Sequence, residues 1–213
     1  MTSKGANPSS PHERFDARLQ RRSAAVLKSR ILQSEKTAID SALEDLRADG
    51  AVERASALIV RARRRFILGS GKSFGYAALL SADMNASLTH VTLIDSTIVR
   101  PIDVLSDVRA TDVLVVFSMR RYRRDTIDIA RSFVAAGGAL VVVTDSEEAP
   151  LADVATELVL VKTDSASYTD SSLAVVVVLH LLASLATASA KGAGRRLKER
   201  DRLSAQLNLY VGD

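Results

Sequence analysis

The sequence predicts an α/β fold in which a parallel sheet is covered by helices on both faces, and three observations carry that expectation. Five short apolar runs recur along the chain, helical patterns separate them, and two of the runs break into polar loops that lead directly into a helix. The runs are apolar throughout rather than alternating, as strands buried on both faces are. At 213 residues, 47% hydrophobic and 25% charged, the chain can bury one sizeable core after a non-core N-terminal stretch.

Residues 1–13 are polar, rich in Pro and Ser and without periodicity, so a disordered tail is expected over 1–14. From Phe15 the pattern turns helical: Leu27, Ile31, Ala38, Ile39, Ala42, Leu43 and Leu46 recur at three- and four-residue steps as far as Asp49-Gly50. Residues 15–50 therefore read as a helical extension and 51–213 as the main domain. A short helix follows, with Val52, Ala55, Leu58, Ile59 and Ala62 on one face, and ends in the Arg63–Arg65 run. Strands are expected at 66–69, 90–95, 112–117, 139–144 and 157–161. The helices between them are expected at 73–87, near Ile102–Val108, at 125–136 and, briefly, at Pro150–Ala155.

Residues 172–190 carry no full charge over nineteen positions, so a membrane span has to be weighed. His180, Ser184, Thr187 and Ser189 lie inside the segment and no aromatic belt flanks it, which favours a helix buried in protein and no membrane. A helix apolar all round in so small a domain calls for a second subunit to cover it, hence an expected homo-oligomer. Gly192 and Gly194 then break the pattern, and a last helix shows Leu197, Leu203, Leu207 and Tyr210.

The chain contains no cysteine, its three histidines are scattered, and no apolar leader precedes the charged N-terminus. A cytoplasmic protein with no metal and no cofactor is expected. The net charge of +4 raises nucleic acid as a partner. However, the arginines fall in separate segments interleaved with Asp and Glu, and aromatics make up only 4% of residues, too few for a stacking platform.

The most informative stretch is Phe66–Ser73, a strand that breaks into Gly69-Ser70-Gly71-Lys72-Ser73 before a helix. Loop N–H groups, serine hydroxyls and the positive end of a helix dipole converge there on one spot, which suits an anion, above all a phosphate. A second such unit runs from Asp112–Phe117 into Ser118-Met119-Arg120-Arg121-Tyr122-Arg123-Arg124. The candidate ligand-binding residues are thus Gly69, Ser70, Gly71, Ser73, Ser118, Arg120 and Arg123. Four cations beside the positive end of a helix repel it and call for a compensating anion. A Walker A loop is rejected, because Phe66 stands where its first glycine belongs. A dinucleotide fingerprint fares little better: Gly69, Gly71 and Gly75 give GxGxxxG, and Asp95, where a ribose ligand would sit, can equally cap its own turn.

Four segments follow one another in the order of a known family: Gly69–Ser73, Val115–Ser118, Gly137–Thr144 and Pro150–Ala155. Residues from about 35 to 210 resemble the sugar-isomerase (SIS) domain, and in particular the effector-binding half of MurR/RpiR-type transcriptional regulators. The resemblance implies a five-stranded parallel sheet in a Rossmann-like three-layer sandwich, a phosphosugar at the strand ends, and dimers or tetramers. The family's second loop usually reads Ser-x-Ser-Gly-x-Thr, of which only Ser118 is kept here; guanidinium groups can replace the hydroxyls as phosphate donors. The regulators carry a helix-turn-helix before the linker helix, whereas only a tail and part of a helix precede Leu27, so sequence-specific DNA binding by this chain alone is not expected.

The function expected is non-catalytic binding of a phosphorylated sugar or related anion. The alternative is an aldose–ketose phosphosugar isomerase, which needs a base in the cleft. Glu147, Glu148 and His180 are the candidates, none of them in a matching motif. A protein-interaction module using the arginine cluster is the third class.

Overall fold

The computed structural model describes residues 10–18 and 23–211. It begins with a helix, α1 (Pro11–Arg18), whose first four residues fall in the stretch expected to be a disordered tail. The cause is a reciprocal cap: the Glu13 N–H donates to Ser10 Oγ (3.2 Å) while the Ser10 N–H donates to Glu13 Oε2 (3.1 Å), with Pro11 preset for the first helical position. Residues 1–9 of that tail lie outside the described residues. The continuous helical pattern from Phe15 is also divided. Ser23 is extended and its hydroxyl accepts from the Val26 N–H, so a second helix, α2 (Ala24–Asp49), starts afresh there. Gly50, at φ +66°, ends α2 and starts α3 (Ala51–Arg61).

The chain then alternates: β1 (Arg64–Gly69), α4 (Lys72–Ser87), β2 (Val91–Ile94), α5 (Pro101–Leu105), β3 (Asp112–Phe117), α6 (Arg124–Ala135), β4 (Ala139–Thr144), a 3-10 turn (Ala152–Val154), β5 (Glu157–Leu160), α7 (Leu173–Ser189) and α8 (Ala193–Gln206). Arg64 and Arg65 of the arginine run belong to the first strand rather than to the helix before it. Arg65 donates to the carbonyls of Ile59 (2.8 Å) and Val60 (2.9 Å), so its side chain satisfies the last turn of α3 from within β1. Arg64 lies over the Phe66 ring, 5.5 Å from its centroid, and pairs with Asp112 of the neighbouring strand.

The five strands form one parallel sheet in the order β2-β1-β3-β4-β5. Alternate residues of each central strand enter different cores. Ile67, Val113, Val115, Phe117, Val141 and Val143 pack with α3, α4 and α7; Phe66, Leu68, Leu114, Val116, Leu140 and Val142 pack with α5 and α6. This is the three-layer sandwich that the sequence predicts. Gly69 pairs with Phe117, so β1 and β3 end side by side, and the two polar loops leave the sheet as neighbours.

Helix α7 is covered by α2, α3 and α4 of the same chain, which bury Val175, Val178, Leu179, Leu182 and Ala186. The cover of this apolar helix is therefore intramolecular rather than a second subunit, with a strip through Leu173, Val176, His180, Ser184 and Ala188 left exposed. No single helix among the described residues is long and apolar enough to cross a membrane. Helices α7 and α8 meet the length and composition criteria only as a pair bent by 104°.

Candidate functional site

A cavity of about 410 Å³ opens at the carboxyl ends of β1 and β3. The first loop contributes Ser70, Gly71, Lys72 and Ser73, and the second contributes Ser118, Arg120, Arg121 and Arg123. Six of the seven expected residues thus line one space. The seventh, Gly69, does not line it and acts from beneath: a Cβ there would fall 2.3 Å from the Ser73 carbonyl oxygen, so only glycine lets the strand end run this close to the first turn of α4. Gly71, at φ +62° and ψ −128°, makes the turn into that helix. Across the gap Thr126 Oγ1 donates to Ser70 Oγ (3.0 Å), tying the start of α6 to the first loop.

The second loop is held from the sheet by Asp145, which follows β4. Its carboxylate, almost fully buried, accepts from the Arg120 N–H (3.0 Å) and the Tyr122 hydroxyl (3.0 Å), and lies 3.4 Å from Arg120 Nε. Burial first, and then the Asp145 carboxylate, push the Tyr122 hydroxyl up to about 12, so it stays a donor at any physiological pH. Arg121 occupies the place of the glycine in the Ser-x-Ser-Gly-x-Thr pattern and adopts φ +65°. A left-handed arginine costs about 1 kcal/mol or more, so the loop keeps a glycine-type turn although the glycine is gone.

The uncompensated arginines expected from the sequence are partly compensated within the chain. Arg120 faces Asp145, and Arg123 Nη2 lies 2.8 Å from Asp125 Oδ2, a bond that holds the Asp125 carboxyl below the usual carboxylate range. A third wall, invisible to the motif reading, comes from the β5–α7 connection: Thr163, Asp170 and Ser171 line the cavity, and Lys72 Nζ donates to the Asp170 carbonyl. The available signal was the run Thr163–Ser172, dense in hydroxyls and carboxylates. Tyr76, Phe117, Met119 and Thr126 complete the lining.

The candidate bases lie elsewhere. Glu147 lines a separate, largely apolar groove of about 780 Å³ between α2, β5 and α7, Glu148 is exposed, and His180 faces away on α7. Asp95 is consumed by its own turn, accepting the N–H groups of Thr97, Ile98 and Val99 (each 2.9 Å), which hold its carboxyl below the usual range. It is a turn cap, not a ribose ligand.

Among known proteins, the family model of the SIS domain matches residues 58–185. The sugar isomerase domain of an RpiR transcription factor from Sphaerobacter thermophilus is 25% identical, with TM-score 0.72 over 80% of this chain and 97% of that one. Vibrio vulnificus NanR, solved in complex with ManNAc-6P, is 14% identical, with TM-score 0.66 over 85% of this chain and 74% of that one. A Methanococcus jannaschii protein, whose structure is described as implying 3-hexulose-6-phosphate isomerase function, is 12% identical, with TM-score 0.61 over 78% and 96%. A search of curated protein sequences found no match.

Proposed function

The chain belongs to the SIS domain family, and we propose that it binds a phosphorylated sugar without transforming it, as the ligand-sensing half of an RpiR-type regulator does. The observation that carries this reading is the convergence of two strand-to-helix loops, with their serines and arginines, on one cavity. Lys72, Arg120, Arg121 and Arg123 around it, with Arg14 behind Asp170, are five cations against the three carboxylates Asp125, Asp145 and Asp170. The excess of positive charge suits a phosphate monoester, which carries nearly two negative charges at neutral pH. The ManNAc-6P complex among the similar structures supports the same ligand class.

The test is calorimetry with ManNAc-6P and a panel of hexose and pentose phosphates. Arg120→Ala is expected to weaken the best binder by more than about 1 kcal/mol, as loss of a charge-assisted contact should. Unchanged affinity would assign the arginine loop to a protein partner instead. The isomerase reading draws on the Methanococcus jannaschii neighbour and needs a base in the cavity. The carboxylate that lines it is Asp170, already paired with Arg14, and neither a glutamate nor a histidine joins it among the described residues. Aldose–ketose interconversion, followed by NMR in the same samples, would overturn the non-catalytic reading.

The protein is further proposed to act in the cytoplasm as a dimer or tetramer. What supports self-association is no longer α7 but the C-terminal end, where Leu207, Leu209, Tyr210 and Val211 are each at least 60% exposed. Sedimentation at micromolar concentration is expected to show a dimer or larger, and a monomer there would remove the proposal.

A further inference from the structure

The connection between β5 and α7 forms the third wall of the cavity, yet it is fastened mainly to the N-terminal helices. The Ala166 N–H donates to Ser34 Oγ (3.0 Å) on α2. The Glu35 carboxylate, also on α2, accepts the hydroxyls of Ser165 (2.6 Å) and of Ser171. Lys162, at the start of the connection, pairs with Asp45 (2.6 Å) and donates to Ser41 (3.0 Å), both on α2. At its far end Asp170 pairs with Arg14 of α1, a guanidinium that is only about 10% exposed. Asp170 and Ser171 line the cavity; Arg14 and Glu35 do not.

Charge makes this arrangement more than mechanical. Asp170 is the carboxylate lining a cavity otherwise suited to an anion, and an unpaired carboxylate there would repel a phosphate. Arg14, which pairs with Asp170 without lining the cavity, offsets that negative charge. We propose that Arg14 and Glu35 are positioning residues for anion binding: Arg14 neutralises Asp170, Glu35 holds Ser171 in the wall, and the N-terminal helices and the ligand stabilise one another through this loop. The inference rests on the reading of the cavity as a phosphosugar site. It makes α1 and residues 24–45 of α2 an energetic part of that site, and by linkage ligand binding must tighten these helices as much as they tighten binding.

The test uses the full chain with Arg14→Ala, Asp170→Asn, the double variant and Glu35→Gln, probed with ManNAc-6P and with inorganic phosphate. Arg14→Ala is expected to raise the dissociation constant about tenfold, and adding Asp170→Asn to restore it to within about threefold of wild type, because the double variant removes the stranded charge. Loss of a merely structural contact would not be rescued this way. Glu35→Gln is expected to speed hydrogen exchange at residues 163–171 without ligand, and ligand added to the wild type to slow exchange within 24–45. Wild-type binding that Arg14→Ala leaves unchanged would overturn the proposal, as would unaltered exchange at 163–171 in Glu35→Gln. Should wild type bind neither probe, the phosphosugar reading fails, while the exchange experiment still decides whether the N-terminal helices hold the loop.

Discussion

Arg64→Met is expected to destabilise the fold by about 3 kcal/mol, because it leaves the Asp112 carboxylate buried and short of its charge partner. Asp112 opens the central strand β3 with its side chain fully buried, and Arg64 grips it from β1 with Nε at 3.1 Å from Oδ1 and Nη2 at 2.5 Å from Oδ2. The other bond to that carboxylate is the Arg109 N–H at 2.8 Å, which donates without neutralising it. Arg64 is itself partly exposed and shares Asp107, so the loss sits at the low end of the range for a broken buried pair. Adding Asp112→Asn should recover at least half of it by removing the stranded charge. Urea unfolding checks both: the Arg64→Met midpoint should fall by more than about 1 M, given slopes of about 1–3 kcal/mol per molar. A drop worth less than about 1 kcal/mol would mean that Asp112 finds enough compensation in the backbone around it.

This pair also shows which features the sequence hides. All five strands and the parallel order of helices between them follow from local patterns: apolar runs such as Val113–Phe117 and Leu140–Val143 need only their own composition to declare that both faces are covered. The two cavity-facing loops were legible for the same reason, since glycine, serine and a following helix are neighbours in the chain. What escaped notice is contributed by residues far apart in sequence. Arg63–Arg65 read as the charged end of a helix because nothing local says that Arg64 has Asp112 opposite it, 48 residues later. Asp145, which anchors the arginine loop from 25 residues away, and Asp170, paired with Arg14 across 156 residues, declare themselves only once the chain is folded. Helix α7 misled in the opposite direction: its composition was read correctly as burial, but composition cannot say whether the cover is a second subunit or the chain's own α2, α3 and α4.

Gly69→Ala and Gly75→Ala separate two of the three glycines that make this loop look like a dinucleotide fingerprint. At Gly69 the added methyl would meet backbone, 2.3 Å from the Ser73 carbonyl oxygen and 2.7 Å from its carbon, with no side chain able to swing aside. The strand end or the first turn of α4 must move by about 1 Å or more, a cost of about 3 kcal/mol on the scale of severe overpacking. That movement also carries Ser70, Gly71 and Ser73 out of register with Ser118 and Arg120, so ligand binding should fall at least tenfold even in the fraction that folds. Gly75 sits inside α4 with nothing within 4 Å of where a Cβ would stand. Alanine there should be neutral or should stabilise by up to about 1 kcal/mol through helix propensity, with binding unchanged. Thermal unfolding and titration with ManNAc-6P read both effects on the same two proteins. A Gly69→Ala variant that melts and binds like wild type would show that the first turn of α4 is free to retreat, and would take from Gly69 the role of setting the loop; a Gly75→Ala variant that loses stability would restore the close-packing role a third fingerprint glycine would have.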